Sequence, residues 1–197
     1  KKYRLLEETI LEEFYDILSD KQMPVPPKVS VPQGSTVGEP HCLVLPMFDL
    51  HYGKQGIVRP DGTSYNRNEA ETHLIDKTQE LINDVQHRNV EEVLLVVGSD
   101  HFHVDGHHGT NSGGRNNDGT FQDMDGLPVQ ILDEGCDLTL QQINMLRQLD
   151  TVKRVKIVMV PGNHDRILSF ALIKFIEAAL GGETGVDVVK NYNSRWY

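Results

Sequence analysis

Val155-Lys156-Ile157-Val158-Met159-Val160, running directly into Pro161-Gly162-Asn163-His164-Asp165, decides how the chain is read. The first six residues are a short apolar run of buried-strand type. The next five form a tight turn that opens a helix over residues 167–180, stopped by Gly181-Gly182 as a C-cap. The same unit occurs earlier. Residues 41–47, with Cys42-Leu43-Val44-Leu45, read as a buried strand, and Val93-Leu94-Leu95-Val96-Val97 as a second. Between them Asn66 caps a helix, with Glu69 three residues later and Leu74, Leu81 and Val85 on one face. Another helix ends near Leu149, carrying Ile143 and Leu146; Gly135 interrupts its pattern and obscures its start. Val186 to Val189 reads as a fourth strand. Strand–helix alternation of this kind predicts an α/β fold with a largely parallel sheet and helices on its faces. Its ligand site should lie beyond the carboxyl ends of the strands, just after residues 47, 98 and 160.

The remainder of the 197 residues frames this core. Residues 3–18 read as an amphipathic helix, with Tyr3, Leu6, Ile10, Phe14 and Ile17 at helical spacing. A Pro/Ser/Gly-rich linker follows to about Pro40. Residues 99–126 read as one long loop, rich in Gly, Asn, His and Asp, of a length that points to function or mobility. No apolar run approaches the ~20 residues that span a bilayer, so no membrane partner is expected. Two cysteines, Cys42 and Cys136, make neither a metal spacing nor a disulfide framework. They fit a reducing, cytoplasmic location. The net charge of −10 excludes a broad basic surface for gripping nucleic acid. It leaves open an acidic cluster that binds cations.

Chemistry-bearing residues follow each of the three core strands. Asp49-Leu50-His51 comes after the first; on an extended segment, residues two apart point to one side and can converge on a cation. Gly98-Ser99-Asp100, then His101-Phe102-His103, comes after the second, and Gly162-Asn163-His164-Asp165 after the third. Taken singly these are weak. Asp-x-His is common by chance, Gly-x-Asp is often a turn, and Asn163 or Asp165 could simply cap a helix. Their order along three successive strands is what points to a metal site. Oxygen and nitrogen donors without thiolates suit Mn, with Fe, Zn or Mg as alternatives. Two such ions can clamp a phosphoryl group and activate a bridging water as hydroxide.

These residues resemble the calcineurin-like metallophosphoesterase superfamily, over about residues 41–170. Asp49-Leu50-His51 matches its Asp-x-His element and Gly162-Asn163-His164-Asp165 its Gly-Asn-His-Asp element. Gly98-Ser99-Asp100 departs from its Gly-Asp by the inserted Ser99. Asp100-His101-Phe102-His103 is similar to an element of the double-strand-break repair exonuclease branch, and residues 119–126 to phage-encoded members. The resemblance implies a β-sandwich core flanked by helices (αββα), with residues 1–40 as an N-terminal helix and linker and 41–197 as the front part of the domain. It implies two divalent metal ions, with Asp49, His51 and Asp100 on the first and Asp100 and Asn163 on the second. His164 would face the phosphate and protonate the leaving oxygen, with Asp165 fixing its tautomer. His103 and Arg166 would contact substrate, although Arg166 reads equally as a solvated first-turn residue.

The implied activity is hydrolysis of a phosphodiester, in DNA or a nucleotide, by a two-metal-activated hydroxide. A phosphomonoesterase and an inactive scaffold are the alternatives. The family's last elements, an isolated His and Gly-His-x-His, have no counterpart, since no histidine follows His164. The expectation is therefore a chain truncated before them, weak in metal affinity and in activity. His101, His107 and His108 read as loop histidines, His41, His73 and His87 as surface residues, and Asp125-Gly126 as a turn.

Overall fold

The computed structural model describes residues 38–107, 113–115 and 120–189. The helix expected at 3–18, most of its linker and His108 lie outside the described residues. Four parallel strands form the main sheet: β1 (His41–Pro46), β2 (Val90–Gly98), β6 (Arg154–Val160) and β7 (Val186–Val188), in that spatial order. Three helices connect them: α1 (Arg67–Val85), α2 (Pro128–Leu146) and α3 (Arg166–Leu180). The strand order never reverses. Right-handed crossovers that always step the same way place all their helices on one face. Burial agrees: Leu45, Val93, Leu95, Val97, Val155 and Ile157 are buried toward the helices.

The register puts Val44, Leu94 and Lys156 in one row and Pro46, Val96 and Val158 in the next, on the opposite face. That face is only partly covered, and Val44 is 53% exposed. The run at 41–47 was expected to be buried, yet β1 is an edge strand whose alternate residues face outward. Apolarity on both sides of a strand does not distinguish a covered face from an open one. The structure shows an α/β fold with a parallel sheet flanked by helices; among the described residues it has one such sheet, and a two-sheet sandwich is not seen.

The expected helix starts follow local chemistry. Asn66 caps α1, its side chain accepting from the Glu69 amide at 3.0 Å. Asp125 adds an acceptor for the Arg67 amide at 2.9 Å, beside Gly126 at φ +123°. Gly135, which obscured the start of α2 in the sequence, lies inside it. A Cβ there would sit 2.4 Å from the Phe102 ring, so the glycine admits a close approach of the 100–103 segment rather than breaking the helix. The long loop also differs from expectation. It contains three short antiparallel strands, β3 (Gly106–His107), β4 (Gly113–Arg115) and β5 (Phe121–Asp123). Hairpin pairing in a glycine-rich stretch leaves little apolar alternation to read in advance. No helix among the described residues is long and apolar enough to cross a membrane.

Candidate metal centre

The segments leaving β1 and β2 are zipped together by backbone hydrogen bonds. The Asp49 amide donates to the Ser99 carbonyl (3.0 Å), His51 to Asp100 (2.9 Å) and Tyr52 to His101 (2.7 Å), and His103 returns one to Tyr52 (3.0 Å). Neither segment is extended at its key positions. Asp49, His51, Ser99 and Asp100 have φ of 58°, 47°, 49° and 67°, and among the described residues they are the only non-glycine residues with positive φ. Each such conformation costs on the order of 1–3 kcal/mol and persists where surrounding structure imposes it. The argument that Asp49 and His51 share a side because their strand is extended is therefore corrected. Two left-handed residues bring them together, His51 Nε2 lying 3.7 Å from Asp49 Oδ1.

The inserted Ser99 belongs to a left-handed turn of three residues that begins at Gly98, φ +90°. Its amide donates to the Val160 carbonyl at 2.6 Å, tying the exit of β2 to that of β6. The turn delivers the Asp100 carboxylate beneath the 161–165 turn, where Oδ1 accepts from the His164 amide at 2.7 Å. Gly162 is required at this crossing. A Cβ there would lie 2.1 Å from Asp100 Oδ1 and 2.5 Å from Asp165 Oδ1.

Two overlapping sets of ligand atoms result: Asp49, His51 and Asp100, and His51, His103 and His164. Within each set the atoms lie within 4.8 Å of one another. His51 belongs to both. Its Nε2 is the nitrogen 3.7 Å from Asp49, while its Nδ1 lies 3.3 Å from His103 Nδ1. That pair can share one proton. Placing it on His51 Nδ1 leaves the His51 Nε2 lone pair free for a cation near the carboxylates. His164 Nδ1 lies 2.9 Å from the His103 carbonyl, which can only accept, so the ring carries its proton on Nδ1 and its lone pair on Nε2.

Burial, reinforced by neighbouring His164, holds the His51 imidazole below its usual pKa. Burial and then His51 push His103 down to about 3. Both rings are thus neutral at pH 7, the state in which imidazole binds cations. The donors fit a divalent ion: two carboxylates and three imidazoles, with no thiolate.

Asp165 has a different role from the one expected. It does not bond His164, whose tautomer the His103 carbonyl sets. Its fully buried carboxylate accepts from the amides of Phe102 (2.9 Å) and Asp100 (3.2 Å) and from Ser169 Oγ (2.7 Å). Burial raises its pKa, and the Phe102 amide and Ser169 hydroxyl oppose that rise. Nor does its side chain cap α3. Asp105 supplies that acceptor, taking the Ile167 and Leu168 amides at 2.9 and 3.0 Å.

Asn163 is exposed in the turn and Arg166 is exposed at the start of α3. His103, by contrast, is 3% exposed and faces the other two imidazoles. His101, expected to be a loop histidine, is core: it is 1% exposed, with Nε2 3.2 Å from Thr139 Oγ1. Its partner lies 38 residues away, so no local signal marked it. His41, His73 and His87 are exposed as expected. Comparison of the chain with protein-family models, with curated proteins and with solved structures gives no match in any of the three. The site therefore stands on its geometry: a cluster of His and Asp side chains able to hold a metal ion, at the carboxyl edge of a parallel α/β sheet.

Proposed function

We propose that the cluster is the divalent-metal centre of a metal-dependent phosphoesterase of the calcineurin-like type, acting on phosphodiesters of DNA or nucleotides. The observation that carries this reading is the convergence of two carboxylates and three imidazoles at the carboxyl ends of three neighbouring strands, held by four left-handed non-glycine residues. Asp49, His51 through Nε2, and Asp100 would hold a first ion. Asp100 would also face a second, with the Asn163 amide as its neutral oxygen. Bound divalent ions supply positive charge to the phosphoryl oxygens and acidify an attacking water.

The chain's own residues do the rest. Asp100 Oδ1 is committed to the His164 amide, which fixes the carboxylate and leaves Oδ2 for cations. His164, with Nδ1 on the His103 carbonyl, presents Nε2 to substrate; protonated there, it can donate to the leaving oxygen. His103, accepting from His51 at Nδ1, offers Nε2–H to a phosphate oxygen. Arg166 stands one helical position beyond the turn as a phosphate contact. The partly covered sheet face with Val44, Leu94, Val96 and Val158 is where the second sheet of a sandwich would pack.

The test is Mn²⁺ titration by calorimetry, alongside metal-dependent hydrolysis of bis-p-nitrophenyl phosphate. Asp100→Asn keeps an oxygen acceptor for the His164 amide but removes the charge. It should weaken Mn²⁺ at least about tenfold, since losing even a hydrogen-bonded partner of a ligand costs roughly 10–100-fold in metal affinity. A second reading is favoured by the close approach of the three rings: a single ion held by His51, His103 and His164. In that case His103→Gln would weaken the metal, Zn²⁺ would be preferred, and Asp100→Asn would change little. Absence of transition-metal binding by the wild type would sink both.

A further inference from the structure

Beside the cluster lies a cavity of about 390 Å³ that shares Asp49 and His51 with it. Its size falls in the range of small-molecule sites, roughly 300–1,000 Å³. The remaining walls are of two kinds. Met47, Leu50 and Leu74 are apolar, and Phe48 and Tyr65 add aromatic surface. Tyr65 also lies against His73, ring centroids 6.3 Å apart, so one side of the cavity carries paired rings. The Tyr65 hydroxyl is bonded to the Leu50 carbonyl, which anchors its ring.

Two lysines line the same cavity. Lys77 is occupied by Glu80, at 2.6 Å and 2.8 Å from its two carboxylate oxygens. Lys54 has no carboxylate partner among the described residues, and its amide donates to the His51 carbonyl at 3.0 Å. In a chain of net charge −10, a lysine with no carboxylate partner among the described residues, set beside a cluster able to hold a cation, is placed to meet an anion. Phe48, a large apolar ring 47% exposed, lines the cavity.

We propose that this cavity is the subsite for the nucleoside part of a nucleotide phosphoester. Its phosphate would lie at the Asp49/His51/Asp100 cluster, a phosphate oxygen on Lys54, and its base against Phe48 and Tyr65. The inference rests on the metal-centre reading and narrows it to nucleotide substrates. Planar bases are the phosphoester substituents that gain most from aromatic walls, and stacking is tolerant of base identity.

The test measures calorimetric affinity for adenosine monophosphate, glycerol 3-phosphate and inorganic phosphate on the Mn²⁺-loaded protein, with Mn²⁺ affinity read separately. Adenosine monophosphate should bind at least about tenfold more tightly than glycerol 3-phosphate, the scale of one stacked base. Phe48→Ala should remove most of that preference, and the exposure of Phe48 makes the truncation tolerable to the fold. Lys54→Gln should weaken all three anions. Equal affinity of the loaded protein for adenosine monophosphate and glycerol 3-phosphate would overturn the subsite while leaving the metal reading intact. If Mn²⁺ does not bind, the metal reading fails by itself. The cavity is then tested in chelator, where adenosine monophosphate binding sensitive to Phe48→Ala supports it and no binding overturns it.

Discussion

Replacing Asp165 by alanine should unfold the protein far more readily than an exposed helix-entry residue would allow. The carboxylate is fully buried and collects three donors: the Asp100 amide, the Phe102 amide and the Ser169 hydroxyl. Truncation leaves both amides buried without an acceptor. Each such group costs about 1–3 kcal/mol, while the hydroxyl can turn elsewhere. Against this stands the relief of a buried carboxylate whose pKa burial already raises. The net expected loss is about 3 kcal/mol, which for a domain of this size lowers Tm by roughly 6–12 °C. Asp165→Asn keeps the shape and one acceptor oxygen but turns an NH₂ toward a donor, so about half the loss should remain. Urea denaturation followed by circular dichroism measures both variants. A loss below about 1 kcal/mol for Asp165→Ala would refute the idea that this carboxylate ties the exit of β2 to the start of α3. A large fall in hydrolysis with no fall in stability would instead favour a role on His164.

Other outcomes follow from the same geometry. Gly162→Ala places a Cβ 2.1 Å from Asp100 Oδ1, so the 161–165 turn must move; calorimetric Tm and Mn²⁺ titration should show a loss of about 1–3 kcal/mol of stability together with weakened metal. His101 is buried and its pKa is pushed down to about 4 from 6.5 by desolvation. A depressed folded-state pKa stabilises the fold above the unfolded value and loses that contribution as pH falls toward 4. Denaturation between pH 6.5 and 4 should therefore reveal on the order of 3 kcal/mol of acid-side loss from this residue, much reduced in His101→Gln.

The sequence by itself determined what local pattern and order can carry. The strands at 93–97 and 155–160, the Asn66 cap and the helix after Asp165 each follow from contiguous residues, and each is observed. The order of ligand segments after successive strands also placed Asp49, His51, Asp100 and His164 at one edge of the sheet, where they meet. Tertiary structure alone decided the rest, because the deciding contacts join residues far apart in the chain. Asp165 binds amides 63 and 65 residues away. The His164 tautomer is set by a carbonyl 61 residues away, and Gly135 is explained by Phe102 packing across a helix. Lys54 joins a cavity only because α1 brings Leu74 and Lys77 over it. Left-handed φ at Asp49, His51, Ser99 and Asp100 is likewise held by the zipped exits of β1 and β2; Asp and His tolerate that region better than most residues, but tolerance alone does not select it. A sequence names the groups able to hold a cation; backbone strain sustained by distant hydrogen bonds fixes which of them face one another.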